Sequence, residues 1–435
     1  MDSIYQSLLA SSAAVRLDKL RAAVGAFNPP VQTDEVNNHV HTNYSFSPHT
    51  PTATAYCAIM AGLSTVGSMD HDSVSGANEM SEAGKIIGIA TTVGCEIRVD
   101  FSKTAMAGRK FNNPDSQDIV YMAIHGIPHH KLDDVKEFLK PICHYRNLRN
   151  QKQIEKLNSI IMPLGVEPLD FQKDVAKISS AQEQGSITER HILYAFAKKI
   201  VKQAGIGQNL VNLVSNDLGV ELSNNIKSLL LDIENPHYLY DLLGVLKGSF
   251  LPKFFVQPDN NECVDVQKAV DFANAIGAIP AYAYLGDVEE SPTGDKKAEK
   301  FEDAFLDELM LLIKEIGFKA VTYMPPRNSL KQLERIQALC KQYNFMEISG
   351  VDINSSRQSF NCPIILTPPF KHLTTTTWAL IAHEWLASCN DKYALFNQNN
   401  PLAKTPLSER INKYAALGKQ MDKHNPETII DLIDF

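Results

Sequence analysis

The chain has 435 residues, 44% of them hydrophobic and 21% charged. That length suits one large α/β barrel with additions or two to three ordinary domains, and that composition excludes a disordered chain. With 42 basic against 50 acidic residues the formal net charge is −8. The broad cationic footprint of a non-specific nucleic-acid binder is therefore missing, and a nucleic-acid partner is disfavoured.

No stretch approaches about 18 consecutive apolar residues, so no membrane span or membrane partner is expected. The opening residues 1–25 have no leading cationic segment and no long apolar core, so no signal peptide is expected. The seven cysteines stand at 57, 95, 143, 263, 340, 362 and 389, and no CxxC occurs. Neither a disulfide framework nor a zinc ribbon is indicated, and a reducing cytoplasm is the expected location. Oligomeric state leaves no mark in the sequence.

Residues 1–35 read as a helical N-terminal segment. Ile4, Leu8, Leu9, Val15, Leu17, Leu20 and Val24 recur at helical spacing, and Gly25 with Asn28-Pro29-Pro30 stops the run. A rhythm of short β-like runs and helical runs follows. The strands are expected at Val36–His41, Gly62–Met69, Ile86–Val93, Ile119–Ile124, Ala278–Tyr284, Lys319–Met324 and Phe345–Ser349. Helical segments between them include Pro51–Ala61, Val74–Gly84, Val264–Ile276, Ala298–Ile316 and Ser329–Tyr343. Such alternation predicts parallel pairing, in a doubly wound sheet or a closed barrel. Neither GxGxxG nor GxxxxGK[ST] is present, which favours the barrel.

The rhythm breaks over 131–256, where Lys131–Leu139, Gln151–Ile161, Ile187–Ala204 and Leu222–Ile233 have helical spacing. This stretch reads as a helical insertion between barrel halves 36–130 and 257–370. Phe138, Ile154, Leu157, Leu193, Phe196, Leu229 and Leu230 read as its own core. It leaves the chain after the fourth strand, where long loops face a barrel's active site, so a cap role is expected. Residues 371–435 form a helical C-terminal tail, and Glu289–Lys300 reads as a charged, turn-rich loop.

Functional groups of a βα barrel gather at the C-terminal ends of its strands. Here the first strand ends in His39-Val40-His41 and the second in Asp70-His71-Asp72. The third leads into Gly94-Cys95-Glu96 and the seventh into Gly350-Val351-Asp352-Ile353-Asn354. Imidazoles and carboxylates from separate strand ends are what a divalent-metal site requires. Residues i and i+2 of a strand share a face, so His39 and His41 can reach one ion. Glu96 could bridge two ions about 3.5–4 Å apart, with a metal-bound water as the nucleophile.

These residues carry a resemblance. HVHTNYSFS (39–47), GSMDHDSVSG (67–76), GCEIRVDF (94–101) and GVDINS (350–355) are similar, in order, to the motifs of the PHP superfamily of polymerase-associated and histidinol-phosphatase-like proteins. The resemblance spans roughly 36–125 and 264–365. It implies a distorted, seven-stranded TIM-like βα barrel, a cluster of divalent metals and phosphoester hydrolysis. His39, His41, His71, Glu96 and Asp352 match the family's metal ligands.

Departures from the pattern accompany the matches. Phe46 and Ser47 replace a further ligand, with His49 the nearest substitute. A family His after the fourth strand falls nearest Tyr121, with His125 at the same strand parity. The family's Ala-His-Pro appears as Ala283-Tyr284-Leu285, and its last His as Asn354. One or two metals (Zn, Mn or Fe) are accordingly expected, with His49, His125, Asn354 and Asp70 as further ligands or supporting groups. Arg327, Arg357 and Tyr284 are candidate substrate contacts, because guanidinium matches phosphate oxygens bidentately.

The other histidines (191, 237, 372, 383 and 424) read as structural and His129-His130 as solvated. His383-Glu384 is not half of an HExxH site, since residue 387 is Ala. The expected function is metal-dependent hydrolysis of a small phosphorylated molecule. Two alternatives stand beside it: a catalytically weakened metal- or ligand-binding protein, and another metal-dependent hydrolase. An amidohydrolase would usually place a Lys after a middle strand, and none stands after Ile119–Ile124.

Overall fold

The computed structural model describes residues 3–288 and 299–434. Residues 289–298, most of the expected charged loop, lie outside the described residues. The strands are β1 (Val36–Val40), β2 (Thr65–His71), β3 (Ala90–Asp100), β4 (Ile119–His125), β5 (Val264–Asp265), β6 (Ile279–Ala283), β7 (Ala320–Tyr323) and β8 (Met346–Ser349). They form one sheet in the order β1-β2-β3-β4-β6-β7-β8, and the two-residue β5 pairs on the side with β3. The result is a nearly closed barrel of seven main strands.

Closure between β8 and β1 runs mostly through side chains. Asn38 Nδ2 donates to Ser349 O at 2.8 Å, and Asn37 Nδ2 to Val351 O at 3.0 Å. Val351 N donates back to Asn37 Oδ1 at 2.9 Å, and the two edges meet at a Val40–Ile353 bridge. Gly350 permits this approach, because a Cβ there would lie 2.5 Å from the Cβ of His39.

Two expectations about the strands are corrected. Pairing is parallel for β1–β2, β2–β3, β6–β7 and β7–β8, but β4 is antiparallel to both its neighbours. The cause is the connection between β3 and β4, residues 101–118, which carries no helix. Without a crossover the chain turns back on itself. The third strand also starts later than expected. Ile86 and Ile87 close the helix Ala77–Ile87, which Gly88 ends in a left-handed cap at φ 75°.

The helices, in chain order, are α1 (Ser3–Ser7), α2 (Ala13–Ala23), α3 (Pro51–Met60), α4 (Ala77–Ile87), α5 (Leu132–Ile161), α6 (Glu189–Ala204), α7 (Gln208–Asn212), α8 (Asn224–Leu231), α9 (Tyr238–Phe254), α10 (Val266–Ala275), α11 (Leu306–Ile316), α12 (Leu330–Tyr343), α13 (Lys371–Cys389) and α14 (Leu407–Gln420). The N-terminal segment is two helices, because Ser12 caps a new one by accepting from Val15 N. It is fastened by Arg16, buried against the Glu79 carboxylate with bonds of 2.8 and 2.6 Å.

Helices α5 to α9 fill 132–254 around a core that includes Leu157, Phe196, Leu230, Leu246 and Phe250. Phe138 belongs elsewhere: it stacks on Phe272 of α10 at 4.0 Å, within the barrel's outer core. The first turns of the 30-residue α5 lie on the barrel and its later turns in the insertion.

The C-terminal helices pack intimately on the sheet. Met69, Ala90, Ala123, Ile279, Ala281, Ala320, Met346 and Ile348 form one cluster with Trp378 to Leu386 of α13. Small residues on the sheet leave room for that helix at the end of the barrel where β3 begins. Buried Glu384 accepts there from Val93 N and Thr92 Oγ1, both at 2.7 Å. His129, expected in solvent, donates from Nε2 to Glu384 Oε1 at 3.0 Å and stacks on Trp385. All seven cysteines are free. No helix among the described residues is long and apolar enough to cross a membrane.

Candidate metal centre

Two groups of potential ligands share one imidazole. The donor atoms of His39, His41 and Asp352 lie within 4.8 Å of one another, and so do those of His41, His71 and Glu96. The strands supply them as parity demands. His39 and His41 project from the end of β1 with ring centroids 5.2 Å apart. His71 closes β2, 4.5 Å from the His41 ring, and pairs in register with Glu96 on β3. Asp352 follows β8, past Gly350. His71 Nδ1 stands 3.0 Å from Glu96 Oε2, and His41 Nε2 3.2 Å from Asp352 Oδ1.

Burial and charge act against each other here. Burial raises Glu96, but His71, His39 and His41 outweigh it and bring its pKa down to about 2. Asp352 is likewise held well below the carboxylate range against its burial, by His41, His39 and Arg190. Burial lowers His39. It lowers His41 too, but Asp352, Glu96 and Asp70 overcome it and raise that imidazole. The cluster thus keeps ionised carboxylates beside a neutral His39 and draws positive charge toward its middle. His41 Nε2 is buried and out of hydrogen-bond alignment with its neighbours. Nitrogen and oxygen donors converging on one orphaned buried atom fit a divalent transition metal.

The remaining candidates fall at varied distances from this point. Asp70 accepts from Thr42 N (2.7 Å), Thr42 Oγ1 (2.6 Å) and Ser45 Oγ (2.7 Å). It therefore holds the loop after β1, and Ser45 in turn stands 3.3 Å from His41 Nδ1. Asn354 Nδ2 donates to Asp352 Oδ1 at 2.7 Å, which makes it a support for that carboxylate.

His125 shares the inward face but lies deeper. Glu96 pairs with Ala123, and because β4 runs antiparallel, two residues further along moves away from the mouth. Burial, with His39 beside it, lowers His125 to about 3, and its Nε2 has no hydrogen-bond partner among the described residues. Tyr121, at the opposite end of β4, is the residue level with the mouth, 6.0 Å from the His71 ring.

Four other candidates are not brought to the cluster. His49 packs edge-on to Tyr5 and Phe360 and meets Tyr5 OH at 3.0 Å. Tyr284 sits on the outward parity of β6, and its hydroxyl donates to Asp303 at 2.6 Å. Arg357 is held by both Asp241 oxygens on α9, at 2.6 and 2.8 Å. Arg327 directs Nε toward Leu285 O at 3.4 Å.

The insertion lies over the mouth. Asn43 and Tyr44 of the loop after β1 donate to Ser180 Oγ (2.7 Å) and Glu183 Oε2 (2.9 Å). Ser73, after β2, donates to Gln184 O at 3.0 Å. Phe46 packs on His191, Tyr194 and Tyr240 at 5.0 to 5.9 Å. Arg190, on α6, was not among the sequence candidates, and its NH1 donates to Asn354 Oδ1 at 2.8 Å. The one signal for it in the sequence is a cation in the first turn of a helix, where the macrodipole disfavours one.

No family profile matches the chain, and no curated protein sequence matches it. Among solved structures, a protein of Bifidobacterium adolescentis provisionally described as a metal-dependent phosphoesterase is similar, with a TM-score of 0.49 and 16% identity over 77% of this chain and 92% of its own. An amidohydrolase of Chromobacterium violaceum, solved with sulfate and without metal, has a TM-score of 0.48 and 16% identity over 78% of this chain and 95% of its own.

Proposed function

We propose that the chain is a metal-dependent hydrolase of the PHP type that cleaves a phosphoester of a small molecule. The observation that carries this reading is the pair of ligand triads joined at His41, with every donor atom in each triad within 4.8 Å of the others. His39, His41 and Asp352 would hold a divalent ion, or His41, His71 and Glu96 would, since the one lone pair of the His41 imidazole serves one ion at a time. What such an ion supplies is Lewis acidity toward a phosphoryl oxygen and a lowered pKa for water.

The chain's own residues do the rest. Glu96 and Asp352 stay ionised at neutral pH because the imidazoles around them outweigh their burial. Asp70, through Thr42 and Ser45, fixes the loop on which His41 ends. Asn354 holds one Asp352 oxygen, and residues 180–184 brace the loops that follow β1 and β2. No Ser or Cys nucleophile in a GxSxG or Cys-His arrangement is present, so water is the proposed nucleophile.

The binding-only reading would gain if Tyr284, Asn354 and His125 together filled the pocket of His39; Tyr284 faces Asp303 on the outside of the barrel, whereas Asn354 supports Asp352 and His125 lies on the inward face, deeper than the ligands. The deciding experiment is metal analysis by mass spectrometry on the parent and on a His39→Ala/His41→Ala variant, with turnover of p-nitrophenyl phosphate in parallel. Metal and turnover present in the parent and lost together in the variant support the hydrolase. A parent that takes up no Zn, Mn or Fe overturns it.

A further inference from the structure

The insertion's role at the mouth can be taken further, on the premise of the hydrolase reading. We propose that Arg190 of α6 receives the anionic oxygens of the substrate, so that the insertion supplies part of the binding site.

The first support is that no carboxylate among the described residues stands within ion-pair distance of it, Asp352 acting on its charge only from farther off. Arg98, Arg146 and Arg149 are buried among Glu262, Glu189 and Asp72, and Arg357 is paired with Asp241. Arg190 is half-buried and in no ion pair among the described residues. Its bond to Asn354 Oδ1 uses one of five guanidinium N–H donors. A half-buried cation left with free donors awaits an acceptor.

The second support is position. Arg190 reaches Asn354, and Asn354 reaches Asp352 Oδ1, so the guanidinium stands two hydrogen bonds from the proposed ligands. A phosphoryl group at those ligands would meet the remaining donors of the fork, the geometry in which guanidinium binds phosphate best. The third is the cost of keeping it there. Arg190 is the second residue of α6, after the Thr188 cap, where the helix dipole repels a cation. Tyr194, one turn on, and Tyr240 of α9 wall the same spot with rings 5.5 Å apart.

The test compares metal-loaded wild type with Arg190→Met and Arg190→Lys. Binding of inorganic phosphate is measured by calorimetry, KM and kcat with p-nitrophenyl phosphate, and metal content by mass spectrometry. Loss of a charge-assisted fork is expected to weaken phosphate binding and raise KM by about 10- to 100-fold in R190M. Metal content should stay at the wild-type level, and R190K should recover part of the loss. Values for R190M within twofold of wild type overturn the proposal while leaving the hydrolase intact. Should R190M not fold, R190K is read alone, and affinity within twofold of wild type has the same consequence. Arg190-dependent phosphate binding without turnover in wild type overturns the hydrolase and leaves the anion site standing. Wild type that neither binds phosphate nor turns over overturns both.

Discussion

Glu302 offers a pH-dependent test of how the mouth is built. It precedes α11 and is fully buried. One carboxyl oxygen accepts from Leu285 N at 2.7 Å and Gly286 N at 3.4 Å, pinning the turn that follows β6. The other oxygen, Oε2, has no hydrogen-bond partner among the described residues. Burial is the largest influence and raises its pKa from 4.5 to about 7, against the pull of those backbone N–H groups. Folding therefore favours the protonated acid. The contribution is fully present below about pH 4.5 and is lost as pH rises through about 7, since above that the folded state must bury a charge that the unfolded chain leaves in water. A rise of that size corresponds to roughly 3 kcal/mol.

Glu302→Gln keeps an acceptor for Leu285 N and removes the charge. The variant should match wild type at pH 4.5 and exceed its stability at pH 8.5 by up to about 3 kcal/mol. Urea unfolding of both proteins at half-unit pH intervals measures the difference. A stability difference that does not change with pH refutes the reasoning, because it would mean that Glu302 is already ionised or solvated in the fold.

Two further outcomes concern the metal ligands. His41 belongs to both triads and His39 to one, so His41→Ala should abolish metal uptake while His39→Ala retains the ion at His41, His71 and Glu96; mass spectrometry on both variants decides, and equal losses would break the shared-ligand arrangement. Gly350→Ala would force a Cβ to within 2.5 Å of the Cβ of His39, and should weaken metal binding at His39 and Asp352 by about tenfold or more while His71 and Glu96 keep theirs; an unchanged metal titration would show that the closure yields without moving the site.

The proposed ligands were legible in sequence for a simple reason. His39, His41, His71 and Asp352 sit at or just past the C-terminal end of a parallel strand, where a polar residue after an apolar run has one place to go, and Glu96, inside the longer β3, stands where the parallel pairing with β2 ends. Direction and parity decided what was not legible. His125 looked equivalent to a mouth residue, yet β4 runs antiparallel, so moving along it descends into the barrel. Tyr284 followed the motif by position, but the two-residue period of β6 turns it outward. Arg357 stands close to Asp352 in sequence, yet Asp241, 116 residues away, holds it. Arg190 lies in a stretch without motifs, and it is the packing of α6 over the barrel that brings it to Asn354. The barrel itself followed from strand–helix alternation, while the antiparallel β4 came from a connection too poor in helical pattern for a crossover.

How the insertion is fastened bears on whether it opens. Arg98 of β3, Arg146 and Arg149 of α5, Glu189 of α6, Glu262 before β5, and Asp72 after β2 make one network, all but Glu189 buried to 5% exposure or less. Arg149 Nε meets Glu262 Oε2 at 2.5 Å, and its NH2 meets Glu189 Oε1 at 2.5 Å. Arg98 and Arg146 also pair with Glu262, and Arg146 with Asp72. Lifting the insertion would strand several of these charges in a low-dielectric interior, so the structure favours a fixed wall over a hinged lid. Glu262→Gln removes the charge that three guanidiniums share. Breaking a buried pair from one side costs about 3–5 kcal/mol. The variant should lose that much stability and show faster amide hydrogen exchange in α6, which carries Glu189, and in α9, whose Phe250 packs on Phe196 of α6, than in α13, which does not touch the network. Exchange that stays slow throughout α6 and α9 in a folded Glu262→Gln protein would mean that the apolar core of the insertion alone holds it down, and the argument for a charge-locked wall would fail.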